Sequence, residues 1–262
     1  MKASTLKPLR EVISRRFAPH RHSVFLVAIL TLFAVRVLLG NAAAGPIIFS
    51  FTFLILMLVA LYNVNIDEII EERDRRVAKS RRRLIIGWAL ATTAILARFV
   101  LFFVKGNPAL NLVGSISWIL FFAFVISSQL RSVLRQKNVT GETISMSVSI
   151  YLLLGLTWGL LYIIIFELQP GAFSFGGAAV VSSSDPLPIF PILTYFSLTT
   201  LSTIGFGDIT PVSLQARYVA VTEGIAGQFY LAILVARLVG MQMSQAASQH
   251  PEGQTRAAGT KQ

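Results

Sequence analysis

The sequence predicts an all-α integral membrane protein, with six membrane-spanning helices and a shorter re-entrant segment between the fifth and sixth. Three observations predict it. Only 13% of the 262 residues are charged, about half the share usual in a soluble domain, and mean hydropathy is +0.68. The apolar residues come in blocks of roughly 17 to 25, the length that crosses a bilayer as a helix. Positive charges alternate with those blocks in a way that fixes their sidedness.

The expected spans are Val24–Gly40, Pro46–Asn63, Leu84–Val104, Leu112–Leu130, Ser145–Glu167 and Arg217–Gly240. Lys2, Lys7, Arg10, Arg15, Arg16 and Arg21 precede the first block. A dense basic run, Arg73 to Arg83, lies between the second and third, and Arg131, Arg135 and Lys137 follow the fourth. No Lys or Arg occurs from Asn138 to Ala216. Basic loops mark the cytoplasmic side, so both termini are expected there. The net charge of +11 is thus a topology signal, and its distribution argues against nucleic acid as a partner. The run Arg75–Arg83 is expected to be a solvated cytoplasmic loop that can also meet anionic lipid headgroups.

Within that frame the chain divides into a basic N-terminal segment (1–23), a four-helix unit (24–137), a second membrane unit (138–240) and a short polar tail (241–262). Asn41–Gly45 is a tight outer turn, and Lys105–Asn111, with Gly106 and Pro108, is another. Glu71–Arg75 and Glu72–Arg76 are i, i+4 pairs that favour helix between the second and third spans. Ala42-Ala43-Ala44 resembles a signal-peptidase site, but the block before it is long enough to span, so a retained first helix is expected. The absence of cysteine excludes disulfides and thiolate metal sites. With the small size, it points to a prokaryotic plasma membrane. The tail is too short for a nucleotide- or calcium-binding domain.

The stretch between the fifth and sixth spans differs in kind. Gly171 to Pro191 is rich in Gly, Ser and Pro and suits an extracellular loop. Pro191–Ser202 is too short to span and too apolar for a loop. With Pro191 in its first turn, it reads as a half-membrane helix. Irregular backbone at membrane depth is tolerated only where it lines a cavity or is packed in protein, so a pore or a binding site is expected next.

The residues that follow are Thr203-Ile204-Gly205-Phe206-Gly207-Asp208. A filter for potassium replaces the ion's water shell with rings of backbone carbonyls. Successive carbonyls then all point inward, which requires backbone of alternating hand. Positive φ is inexpensive only for Gly, and Gly205 and Gly207 sit two apart. Thr203 can add its hydroxyl oxygen. Ile204 and Phe206 then point away, toward the half-helix, and Asp208 at the mouth can anchor the segment and concentrate cations. A lone Gly-x-Gly means little. Here it follows the Thr-rich lead Thr199 to Thr203 and precedes Pro211.

Tyr195 through Pro211 resembles the pore helix and signature of the potassium-channel pore family, specifically the six-span bacterial type lacking a charged sensor helix. The resemblance covers about Ser145 to Gly240. It implies a potassium-selective channel subunit acting as a homotetramer. K+ would be the permeant ion at Thr203, Ile204, Gly205 and Phe206, with Gly207 completing the filter and Thr199, Thr200 and Asp208 supporting it. It also implies that Arg217 starts the inner helix and that Gly227 corresponds to the family's gating hinge. Phe206 departs from the usual Tyr, which removes one hydroxyl behind the filter.

Several readings belong to this chain's own residues. A voltage sensor needs several Arg or Lys inside its fourth span, since each charge moved yields about 2.3 kcal/mol per 100 mV. Leu112–Leu130 contains none, so weak or absent voltage dependence is expected. Arg36 and Arg98 lie inside spans and read first as snorkelling or ion-paired, with a sensing role as the alternative. Gly227 is balanced between hinge and close packing. Glu223 sits near filter depth and is expected to brace the half-helix or filter from behind, because a bare charge is costly in hydrocarbon. An unselective or partner-dependent cation channel is the alternative. An enzyme is not expected. His20, His22 and His250 lie outside the spans, no nucleophile has a matching base, and no phosphate-binding loop is present. Nor is a cofactor expected. A carrier would more typically show two broken helices in matching halves.

Overall fold

The computed structural model describes residues 20–39, 45–72, 85–96, 108–136, 138–176 and 186–249. In order these form α1 (Arg21–Leu39) and α2 (Gly45–Glu72), then α3, described over Ile85–Leu96. α4 (Pro108–Arg135), α5 (Gly141–Leu168), α6 (Pro186–Leu201) and α7 (Leu214–Gln249) follow. Two short strands, β1 (Phe173–Ser174) and β2 (Thr210–Pro211), complete the fold. α4, α5 and α7 are long and apolar enough to cross a membrane, while α1, α2, α3 and α6 each contain a shorter apolar stretch.

The helix positions follow the apolar blocks, and several run past the expected ends. α2 extends through Glu72; Arg75 and Arg76, the partners expected for Glu71 and Glu72, lie outside the described residues. α7 has 36 residues, about 54 Å at 1.5 Å per residue, well beyond the roughly 30 Å hydrocarbon core. Arg98 and the run from Arg73 to Arg83 lie outside the described residues, and Arg36 falls within α1.

The short helix corrects one expectation. α6 begins at Pro186, so Pro191 is internal to the helix and not in its first turn. Its opening sequence Pro-Leu-Pro-Ile-Phe-Pro reads as loop because proline is associated with breaks. Pro186 and Pro188 fall in the first turn, where a helix N–H has no partner anyway, whereas Pro191 lies past it and forgoes one intrahelical hydrogen bond. At 16 residues, or about 24 Å, α6 falls short of a full crossing.

α5 is the element the others are built around. Its N-terminus is set by a capping box: the Thr140 side chain accepts from the Thr143 N–H, and the Thr143 hydroxyl accepts from the Thr140 N–H, each at 3.3 Å. α4 packs along one side of α5 and α6 along another. Gly155 and Gly159 let α6 approach closely; a Cβ at Gly159 would sit 2.8 Å from the Thr194 hydroxyl. The buried core joins Phe25 and Ile29 of α1 and Leu56 of α2 to Phe121 of α4, Leu153 and Leu156 of α5, and Leu193 of α6. Edge-to-face rings reinforce it, with Phe53 against Trp118 at 4.6 Å and against Phe190 at 5.7 Å.

Candidate functional site

The segment after α6 has backbone of alternating hand. Gly205 (φ 53) and Gly207 (φ 81) are left-handed, and so is Thr203 (φ 60). The glycines adopt this conformation readily. Thr203 does not: among the described residues it is the one non-glycine with positive φ, and a β-branched residue there is a true outlier. Left-handed backbone costs an L-residue roughly 1–2 kcal/mol. Alternating hand of this kind is what allows successive carbonyls to face one side, as a carbonyl-lined ion path needs.

What holds Thr203 is the end of α6. A helix leaves its last four carbonyls without intrahelical donors, and here each is met. The Ser202 N–H donates to Leu198 O at 3.0 Å, and the Thr203 N–H to Thr200 O at 3.0 Å. The Ile204 and Gly205 N–H groups both donate to Thr199 O, at 2.9 and 3.2 Å. Leu201 O accepts from the Tyr151 hydroxyl of α5 at 3.1 Å. Thr199 and Thr200, expected to support the segment, therefore touch it through their carbonyls. Their hydroxyls turn back to Phe196 O within α6.

The outer side is braced differently. The rings of Phe206 and Tyr195 stack with centroids 6.3 Å apart and planes 4° apart. The Tyr195 hydroxyl lies beside the Asp208 carboxylate. Phe206 thus leans on α6 through its ring face, as expected of a side chain pointing toward the half-helix, with no hydroxyl of its own. Ile204 is exposed in the single chain. Beyond Asp208, β2 pairs antiparallel with β1, Thr210 opposite Ser174 and Pro211 opposite Phe173. The Val212 N–H donates to Ala172 O at 2.8 Å. This pairing ties the exit of the segment to the end of α5. Two-residue strands carry no readable periodicity, and sequence reasoning missed them.

Behind the segment sits Glu223, 0% exposed. The Tyr162 hydroxyl of α5 donates to its Oε2 at 2.5 Å, and the Ser197 hydroxyl of α6 meets its Oε1. Ser197 also donates to Gly155 O at 2.8 Å. One carboxyl group therefore joins α5, α6 and α7. It touches α6 and not the 203–208 segment itself. Around it the rings of Tyr162, Phe173 and Phe196 pack edge to face, 5.0 to 5.6 Å apart. Tyr162 and Ser197 were not singled out in the sequence, because only the fold reveals that they face a buried carboxyl.

Gly227 lies where α7 crosses the end of α6. A Cβ there would fall 2.5 Å from Leu201 O and 2.9 Å from its Cδ1. Close packing alone accounts for the glycine. Gly224, by contrast, would bring a Cβ no nearer than 3.9 Å to its neighbour, Thr200 O. Lower down, Tyr230 of α7 donates to Ser147 O of α5 at 2.7 Å and stacks on Tyr151. Arg217, in the first turn of α7, donates to Pro211 O at 3.2 Å. Among the described residues, no group of three or more His, Cys, Asp and Glu side chains could hold a metal.

Residues 150–243, just over a third of the chain, match a family model described as an ion channel. The matched region runs from the middle of α5 through α6, the left-handed segment and most of α7. Neither a curated protein nor a solved structure matches the chain.

Proposed function

From the ion-channel match and the geometry just described, we propose that this chain is one subunit of a potassium-selective channel. Four copies surround one axis, and Thr203 to Phe206 of each direct carbonyls at K+ as it passes down its gradient. The observation that carries the reading is the left-handed backbone at 203, 205 and 207. Thr203 also caps the end of α6; the left-handed Gly205 and Gly207 beyond it have no such helix end to close and continue the alternation that a carbonyl-lined path needs. The filter is then 203–207, α6 is its re-entrant pore helix, α5 the outer helix and α7 the inner helix.

The remaining features support the same arrangement. Six spans place both termini in the cytoplasm, with Arg75–Arg83 against the inner leaflet, where anionic headgroups attract it. Tyr218, Val221, Ile225, Phe229, Ile233 and Val235 of α7 are all more than half exposed in the single chain. An apolar face of that kind is the surface that neighbouring copies would cover. α4 carries charge only toward its cytoplasmic end, at Arg131 and Arg135, so the four-helix unit is not a strong voltage sensor. The cysteine-free sequence fits a prokaryotic plasma membrane, and no cofactor is required.

Purified protein in liposomes tests the proposal. Potassium flux well above sodium flux, from a species that cross-links to tetramers in mild detergent, is the expected result. Equal fluxes would favour an unselective cation channel, and monomers alone would overturn the tetrameric pore.

A further inference from the structure

Arg237 plays no part in the filter, yet its contacts are specific. It lies on α7 beyond Gly227, on the side away from the filter. Its Nη2 donates to Leu134 O at 2.5 Å, Val133 O at 3.3 Å and Gln136 O at 3.4 Å. α4 ends at Arg135, so two of these carbonyls belong to its last turn and the third lies just past it. The last-turn carbonyls carry the negative end of the helix dipole, and of the two Val133 O also accepts from the Gln136 N–H at 3.2 Å. A guanidinium answers that dipole with charge-assisted hydrogen bonds.

The start of α1 has the complementary arrangement. Glu142, in the first turn of α5, accepts from the His22 N–H at 2.9 Å, the Ser23 N–H at 3.3 Å and the Ser23 hydroxyl at 2.5 Å. The His20 imidazole stands 3.9 Å from the same carboxylate. The positive end of α1 thus meets an anion and the negative end of α4 meets a cation, both supplied by the helices of the pore unit. The direct connection between α4 and α5 is only residues 136–140, at most about 18 Å when fully extended.

We propose that Arg237 is a coupling residue: it latches the cytoplasmic half of the inner helix to the end of α4, so that the pore cannot open or close without the four-helix unit responding. Glu142 anchors the other end of that unit to α5. Any tilt of α7 beyond Gly227 must either carry the end of α4 along or break three hydrogen bonds to one nitrogen. Coupling of this kind needs no charge inside α4. It is mechanical, and it rests on reading the chain as a channel.

Single-channel recording of the reconstituted full chain tests it, with the wild type as the first arm. If the wild type passes no ions, the channel reading fails and the latch with it. If it conducts, Arg237→Met is expected to change the ratio of open to closed time at least about ten-fold, equivalent to roughly 1.4 kcal/mol. Unit conductance and potassium-to-sodium preference should stay within two-fold, which a general loss of packing would not preserve. Because all three carbonyls meet a single nitrogen, Arg237→Lys should retain most of the wild-type ratio. Should Arg237→Met not assemble, Arg237→Gln keeps a short donor and is expected to shift the ratio at least about three-fold. A wild-type ratio in the neutral variant that assembles, or a lysine variant no closer to wild type than that neutral variant, overturns the latch.

Discussion

Glu223 shows how much one side chain can organise. Its two oxygens meet hydroxyls from two other helices, and the side chain is buried. Ser197 has one proton and two neighbours able to accept it, Gly155 O and Glu223. A group at 223 that both donates and accepts therefore fits the pair. Glu223→Ala takes from the Tyr162 hydroxyl its partner, while Ser197 keeps Gly155 O, and a buried unsatisfied group costs about 1–3 kcal/mol. We expect the alanine tetramer to melt at clearly lower temperature and its current to decay faster during sustained opening. Glu223→Gln, whose amide offers a donor and an acceptor, should show a smaller loss of both. Equal behaviour of the two variants in thermal melts and current decay would remove the hydrogen-bonding role.

The left-handed residues mark where sequence stops being informative. Gly205 and Gly207 were legible because positive φ is inexpensive for glycine and costly for everything else. Thr203 was not, since its conformation is imposed from outside, by α6 carbonyls that draw in the N–H groups of residues 203 to 205. Arg237 was illegible for a related reason. Its partners are main-chain carbonyls about a hundred residues away, and no side chain in the sequence announces them.

At the level of elements, α6 is held from two sides: by α5 at Gly155 and Gly159, and by α7 at Glu223 and Gly227. The blocks that became α5 and α7 could be read from hydropathy, because a long apolar run has few other fates. The start of α6 could not, because its prolines imitate a loop. Gly227 separates packing from hinging in a way that can be measured. Its Cβ would collide with the Leu201 backbone, whereas one at Gly224 would meet nothing closer than 3.9 Å. Gly227→Ala is expected to reduce tetramer yield and disturb ion selectivity, and Gly224→Ala to do neither. Were Gly227→Ala to alter only the opening rate, with selectivity and assembly intact, the hinge would be the better account.

For the whole molecule, the described parts of α1 to α4 pack against α5 and α6, and the 112–130 stretch of α4 holds no charge. Their core is continuous with that of α5 and α6. Among the described residues, Arg237 joins the end of α4 to α7. A conductance–voltage relation should accordingly be shallow, because no charged residue within 112–130 crosses the field, and each charge that did would contribute about 2.3 kcal/mol per 100 mV. Steep activation over a few tens of millivolts would contradict this. Selectivity is the claim on which the rest depends, and the most direct test is the reversal potential of the reconstituted tetramer with potassium on one side and sodium on the other. The account predicts a reversal potential displaced far toward the potassium equilibrium potential. A value near zero, in a tetramer that conducts, would contradict a carbonyl filter tuned to potassium.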